Sequence, residues 1–238
     1  KNFNYIELSF QNLKKRTDVE KIFEAIELYS DNGEIRYVGG CVRKIINNEN
    51  VDDIDLATNL TPPEISEALK KKNIKFYETG ITHGTITAII NETKFEITSL
   101  RKDVLTDGRH AKVKFSKDWS EDASRRDFTI NAIYANINGE LFDPFCGKKD
   151  LEEGEVKFIG EADKRVKEDY LRILRYVRFF LNYSKKNHDK KVLSLIRKNL
   201  DGISKISSER LLDEFKKLVT SNGLSKLYKD PNSLEIIS

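Results

Sequence analysis

The sequence predicts an α+β fold: a mixed half of strands and helices up to about residue 150, then an all-helical half. Three observations predict it. Strand-like alternation and turn signals are confined to the first ~150 residues. Helical apolar periods dominate afterwards, over roughly 163–183, 188–200 and 207–221. The chain has 238 residues, with 38% hydrophobic content and 13 Phe, which suffices for a sizeable core.

The elements follow in order. The first ~16 residues read as a loose arm. A helix is predicted from Thr17 to Ser30, because Val19, Ile22, Phe23 and Ile26 recur at helical period and Thr17 and Glu20 have capping-box spacing. Asp31-Asn32-Gly33 ends it. Ile35–Val38 is a short strand, Gly39-Gly40 a turn, and Val42–Asn47 a short helix. Asp53–Ala57 alternates polar and apolar like a half-buried strand. Thr61-Pro62-Pro63-Glu64 starts a helix, with Thr61 as cap and Pro62 at the first helical position, and the helix runs to about Lys72. Thr85–Ile90 and Lys94–Ser99 form a hairpin around Asn91-Glu92-Thr93. A polar loop containing Asp107-Gly108-Arg109-His110-Ala111 follows. A strand is predicted near Ile130–Ile137, and a turn at Asn138-Gly139. Ser207 caps the last predicted helix. Two domains result, over 17–150 and 151–238.

Composition narrows the class. Charged residues make up 34% of the chain, yet 42 basic and 39 acidic side chains leave a net charge of only +3. Charge alone therefore does not argue for nucleic acid. Basic residues gather around 109–126, 164–198 and 205–217, and acidic ones around 49–55 and 150–155. No apolar run approaches the ~20 residues of a membrane span. The first residues lack the apolar core of a signal peptide. Cys41 and Cys146 form no zinc pattern, and reduced thiols point to a cytoplasmic location. The chain has no Met, which suggests a processed or excised chain.

The first chemical feature is Asp53-Ile54-Asp55. Residues two apart on a strand share a face, so both carboxylates stand together while Ile54 and Leu56 turn inward. Two such carboxylates suit Mg²⁺, which keeps other positions for water and phosphate oxygens. The bland alternative is a solvated strand end. Upstream, Gly39-Gly40-Cys41-Val42-Arg43 joins a strand to a helix. It reads either as an anion site, with Arg43 contacting phosphate, or as an ordinary tight turn.

Together these segments are more specific. Gly-Gly-x-Val-Arg followed by Asp-x-Asp-x-x-Thr (Asp53 to Thr58) resembles the signature of the polymerase-β-like nucleotidyltransferase superfamily. It is most similar to the class II CCA-adding tRNA nucleotidyltransferase and bacterial poly(A) polymerase family. Four later segments agree in order: Arg125 to Ala132, Asp143 to Leu151, Glu168 to Arg175, and Ile206 to Arg210 with Glu214 beyond. Position 44 departs from the pattern, with Lys44 where the family usually has Asp. Only about 23 residues follow the last motif, so the family's distal body and tail are expected to be absent.

The resemblance implies a catalytic head followed by a helical neck. It implies transfer of C and/or A from CTP and ATP to a tRNA 3′ end, with tRNA as the partner and no obligate protein partner. Asp53 and Asp55 would hold two Mg²⁺ ions. Glu96, on a neighbouring predicted strand, is either a third catalytic carboxylate or a charged residue at a sheet edge. Gly40, Arg43 and Arg126 match nucleotide-contacting positions. Asp127 either orients an arginine or caps a turn, and Asn131 is expected to satisfy local backbone. Asp169 and Arg172, three apart on one predicted helix, either form an intrahelical salt bridge or read the base. In the second case the carboxylate accepts from the exocyclic amine of C or A and the guanidinium donates to the ring nitrogen. Arg175 and Arg178 match further nucleotide-binding positions, reaching phosphate or tRNA or supporting that pair. The loop around 107–111 either corresponds to the family's flexible segment, which would favour A addition, or is an ordinary exposed, mobile connection. The rival readings are a poly(A) polymerase, a catalytically inactive RNA-binding protein with this fold, and a small-molecule nucleotidyltransferase.

Overall fold

The computed structural model describes residues 4–80, 83–104 and 112–238. The chain divides into two compact units. The first comprises Lys1–Arg126 and Asn131–Lys148, the second Asp127–Ile130 and Lys149–Ser238. Among the described residues no helix is long and apolar enough to cross a membrane.

The first unit starts with a helix where the sequence reads as an arm. Helix α1 spans Tyr5–Thr17, capped by Asn4, whose side chain accepts from the Ile6 amide. Ile6, Phe10, Leu13 and Thr17 recur at helical spacing and are buried, which explains why the segment folds. The Thr17 hydroxyl donates to Leu13 C=O at 2.7 Å, so Thr17 ends α1 and does not cap the next helix. Asp18 takes a left-handed φ of 55°, and α2 runs Glu20–Tyr29. The elements that follow are β1 Ile35–Val38, α3 Gly40–Ile46, β2 Ile54–Thr58 and α4 Pro62–Lys71. The predicted Thr61/Glu64 capping box is formed. A strand the sequence reading lacked, β3 Lys75–Gly80, precedes the predicted hairpin of β4 Thr85–Ile90 and β5 Thr93–Ser99. That hairpin turns through Asn91 and Glu92, both at positive φ, which matches the twist of the strands. Then come β6 Arg101–Val104, β7 Lys112–Phe115 and α5 Trp119–Ser124. The strand predicted near Ile130–Ile137 shrinks to β8 Tyr134–Ala135, behind a 3₁₀ turn at Thr129–Asn131, and β9 Leu141–Phe142 closes the series.

Seven strands form one sheet in the order β3-β4-β5-β2-β1-β8-β9, and β6 pairs with β7 separately. β2 and β5 run parallel, while the other pairings in the sheet are antiparallel. Strand alternation divides the β3-β4-β5-β2 part into two unlike faces. One carries the rows Phe76–Ala88–Phe95–Ile54 and Ile86–Ile97–Leu56. Of these, all but the half-buried Phe76 are buried, and α4 packs against β3 and β4. The other carries Tyr77–Thr87–Glu96–Asp55 and Lys75–Ile89–Lys94. The core continues under β1, where Phe10 and Phe23 lie 5.0 and 5.1 Å from Tyr37, ring centre to ring centre.

The second unit is helical, apart from a single bridge between Phe128 and Phe158. Its helices are α7 Ala162–Glu168, α8 Leu171–Tyr183, α9 Lys190–Asn199, α10 Ser208–Val219 and α11 Pro231–Ile237. A further helix, α6 Gly147–Glu153, runs across the boundary in sequence. The helix predicted over 163–183 is broken at Asp169, which adopts extended backbone at φ −153°. Phe128 is fully buried, 4.8, 6.4 and 5.5 Å from the rings of Phe158, Tyr176 and Phe179. Residues 127–130 therefore supply a core side chain to this unit, although they lie ahead of the boundary expected near 150.

Candidate active site

The parallel pairing of β2 with β5 sets Asp55 directly beside Glu96. The same pairing buries Ile54, Leu56, Phe95 and Ile97. The alternation that builds the core thus delivers both carboxylates to the opposite face. Asp53, one residue ahead of β2, is exposed, as is Glu96, while Asp55 is half-buried. Burial and then the charges of Glu96 and Asp53 push the Asp55 carboxyl up to about 6; Arg126 opposes them. The three predicted carboxylates are therefore close enough to repel one another. Among the described residues no three His, Cys, Asp or Glu side chains form a ready-made metal cage. Mg²⁺ does not need one, because one or two carboxylates plus phosphate oxygens and water complete its octahedron.

The Gly-Gly turn adjoins these acids. Gly39 has φ +65° and ψ −124°, a conformation that L side chains rarely adopt, and its carbonyl accepts from the Arg43 amide at 2.9 Å. A methyl group added at Gly40 would lie 3.6 Å from Arg43 Nη2 and 3.9 Å from Asp55 Oδ2. One added at Gly39 would lie 3.9 Å from Arg126 Nη1. Two guanidiniums and a carboxylate thus surround the glycines, and the missing side chains leave their atoms approachable. Helix α3 has only seven residues, so positive charge here comes from the arginines and owes little to a helix dipole.

Each arginine is held from behind. Arg43 is buried and donates to the Asn131 side-chain carbonyl. Asn131, expected to satisfy backbone, instead positions an arginine. Arg126 donates to Asp122 at 3.1 Å and to the Tyr134 hydroxyl at 3.2 Å. Asp122 is fully buried and also accepts from Arg125 at 3.0 Å, from Tyr134 at 2.6 Å and from the Arg101 amide at 3.2 Å. Burial alone would raise its pKa, but Arg126, Arg125 and the Tyr134 hydrogen bond bring it down to about 2. Sequence reasoning missed this hub. Its signal was the spacing of Asp122 to Arg125 and Arg126, three and four residues on. Lys44, at the position where the family usually has Asp, lies 3.8 Å from Asp52.

In the second unit, Asp169 sits in the break between α7 and α8, not on a helix. Its carboxylate accepts from the Leu171 amide at 3.2 Å and is clasped by both terminal nitrogens of Arg210, at 3.2 and 2.7 Å. Arg172 donates to Glu168 at 2.9 Å and to the Arg165 carbonyl at 2.7 Å. Arg175 donates to Asp127 at 2.6 Å, and Arg178 to Glu214, which is almost fully buried. Arg175 and Arg178 thus anchor α8 to Asp127 and Glu214, with Arg175 Nη1 also 3.9 Å from Glu214. Asp127, for which two readings were open, orients Arg175 with one carboxylate oxygen and with the other accepts from the Phe128 amide at 2.7 Å. The loop around 107–111 lies outside the described residues.

A parallel pair of acid-bearing strands beside a Gly-Gly turn with two braced arginines, followed by a helical unit, defines a nucleotidyltransferase head and neck. Comparison with known proteins agrees. Residues 35–157 match the poly A polymerase head domain, and 188–230 match the probable RNA and SrmB-binding site of polymerase A. The chain is 46% identical over 200 residues to CCA tRNA nucleotidyltransferase 1, mitochondrial, of Homo sapiens, covering 83% of this chain and 46% of that protein. It is 39% identical over 199 residues to the CCA-adding enzyme of Lactobacillus delbrueckii subsp. bulgaricus, covering 83% and 49%. Among solved structures, the Bacillus stearothermophilus CCA-adding enzyme in complex with CTP superposes with a TM-score of 0.77 at 27% identity, covering 91% of this chain and 50% of that one. A tRNA nucleotidyltransferase with a primer tRNA and an incoming ATP analog gives 0.67 at 26%, covering 87% and 60%. The chain belongs to the family of CCA-adding tRNA nucleotidyltransferases and poly(A) polymerases. It spans about half the length of the curated relatives it matches. The cytoplasmic location expected from the sequence is overturned, because the matching human, mouse and zebrafish proteins are mitochondrial.

Proposed function

We propose that this chain is a template-independent RNA nucleotidyltransferase that adds C and/or A to the 3′ end of tRNA. The observation that carries the reading is Asp55 beside Glu96 on parallel strands, next to Arg43 and Arg126 at the Gly-Gly turn. The CTP, ATP-analog and primer-tRNA complexes of similar proteins support it. The head, over 17–150, carries the transfer, and the neck, over 151–238, selects the base.

In the reaction the RNA 3′-oxygen bonds to the α-phosphorus of the triphosphate, the α–β P–O bond breaks, and pyrophosphate leaves. Asp53 and Asp55 are the residues that would hold Mg²⁺, with Glu96 as a further acidic neighbour. Burial raises Asp55 most, but the part due to Glu96 and Asp53 is relieved by added positive charge, which fits a divalent cation. When bound, Mg²⁺ lowers the pKa of the attacking hydroxyl and neutralises the leaving group. Arg43 and Arg126 orient the phosphates, and the Gly40 backbone lets them approach. Asp169, with its carboxylate oriented by Arg210, accepts from the amine of C or A; Arg172 donates to the ring nitrogen. G and U place a carbonyl oxygen against that carboxylate and are rejected.

The test incubates the 238-residue chain with Mg²⁺, tRNA lacking its 3′ end, and each labelled triphosphate. Addition that halts after C, C, A supports tRNA maturation. Long A tails would assign the poly(A) polymerase reading instead, and no incorporation would overturn both. Asp53→Ala lowers incorporation by about 100-fold or more, and Asp169→Ala loses the preference for C and A.

A further inference from the structure

The sheet face that presents Asp55 and Glu96 does not stop at the acids. Asp55 pairs with Glu96, Glu96 with Thr87, and Thr87 with Tyr77, so four side chains form one row across β2, β5, β4 and β3. Cross-strand partners share a face. Lys75 and Lys94 occupy the next row, either side of Ile89. Thr85 and Thr98 hydrogen-bond across the strands at 3.0 Å, and Thr79 and Thr87 at 2.8 Å. The face is therefore rich in hydroxyls, whereas the reverse face is apolar.

At its far edge, on β3, Tyr77 is 47% exposed and Lys75 is exposed; Lys94, on β5 two strands nearer the acids, is exposed as well. Lys75 Nζ lies 5.3 Å from the centre of the Tyr77 ring. Three strand spacings separate Tyr77 from Asp55, about 14 Å. Tyr77 thus presents about half of its surface to solvent with the Lys75 ammonium beside its ring. Nucleic-acid-binding sheets use the same combination, with rings stacking bases and cations meeting phosphates.

We propose that the β3-β4-β5 face is a platform for the single-stranded 3′ end of the RNA acceptor. Tyr77 stacks on a base, and Lys75 and Lys94 contact the phosphates of the strand leading to the carboxylates. Glu78 carries the adjacent negative charge but faces away, accepting from Ser66 on α4. Glu96 is the acid on the platform itself, at the end nearest Asp55. The inference rests on the proposed function only in taking RNA as the partner.

The test uses the full chain and tRNA lacking its 3′ CCA. Equilibrium binding is measured over a salt series without triphosphate, and KM is measured separately for tRNA and for CTP. Tyr77→Ala weakens tRNA binding and raises its KM by about 5- to 100-fold. The KM for CTP stays within about twofold, and Tyr77→Phe, which keeps the ring, restores parental values. Lys75→Gln with Lys94→Gln reduces the slope of log affinity against log salt by about 1.4. If these variants bind tRNA as the parent does, and the chain still extends it, the platform is overturned and the proposed function stands. A parent chain that neither binds nor extends tRNA overturns the proposed function and the platform with it.

Discussion

Asp55 has its carboxyl pushed up to about 6 by burial and two acidic neighbours. Its unfolded value is near 4, so between about pH 4 and 6 the folded chain holds a proton that the unfolded chain has released. Stability contributed by this residue therefore falls as pH rises through that window and stays low above it. Asp55→Asn is expected to stabilise the fold by about 1–2 kcal/mol at pH 8 and by almost nothing at pH 4, as urea unfolding at both pH values would show. Under the proposed function the same variant is expected to lose nucleotide incorporation, so a gain in stability would accompany a loss of activity. Residue types were the most legible layer of the site. Asp53 and Asp55 were named from strand spacing and Arg43 from the Gly-Gly turn, whereas Arg126 and Glu96 rested on the family resemblance. Their supports were less legible. Asp122 carried a local signal in its spacing to Arg125 and Arg126, but Asn131 and Arg210 act through partners 88 and 41 positions away, and no local pattern carries that information.

Elements were legible where one local signal dominated. The β4–β5 hairpin and the Thr61 capping box follow from turn and cap chemistry within a few residues. Misses came from competition between signals. Val19 to Ile26 drew attention to one strong helix and hid the sparser pattern of Ile6, Phe10 and Leu13 ahead of it. Thr17 looked like a cap because its hydroxyl can serve either end of a helix; here it bonds back to Leu13. Residues 130–135 are all buried, Asn131 included, so no alternation of exposed and buried positions separates a strand from a compact turn there. Phe10→Ala tests whether α1 belongs to the fold. The ring is fully buried against Tyr37, so its loss is expected to cost about 3–4 kcal/mol by denaturant unfolding. A loose arm would show no change.

The division of the whole chain into two units does not coincide with a single cut in the sequence. Fragment 149–238 lacks Phe128, and so leaves Phe158, Tyr176 and Phe179 without the ring that they enclose. That fragment is expected to bind a hydrophobic dye and to unfold without a sharp transition, whereas 127–238 melts cooperatively. The α+β division was visible because helical periods take over after residue 150. The contribution of residues 127–130 was not, since a segment of four residues carries no periodicity. The two unlike faces of the β3-β4-β5-β2 sheet have one more consequence. A slip of one residue by β2 against β5 would drive Asp55 into the core and turn Ile54 and Leu56 towards water, leaving Glu96 without its acidic partner. A misaligned chain would thus betray itself by insolubility, so solubility acts as an inspector of the alignment that sets the two carboxylates side by side.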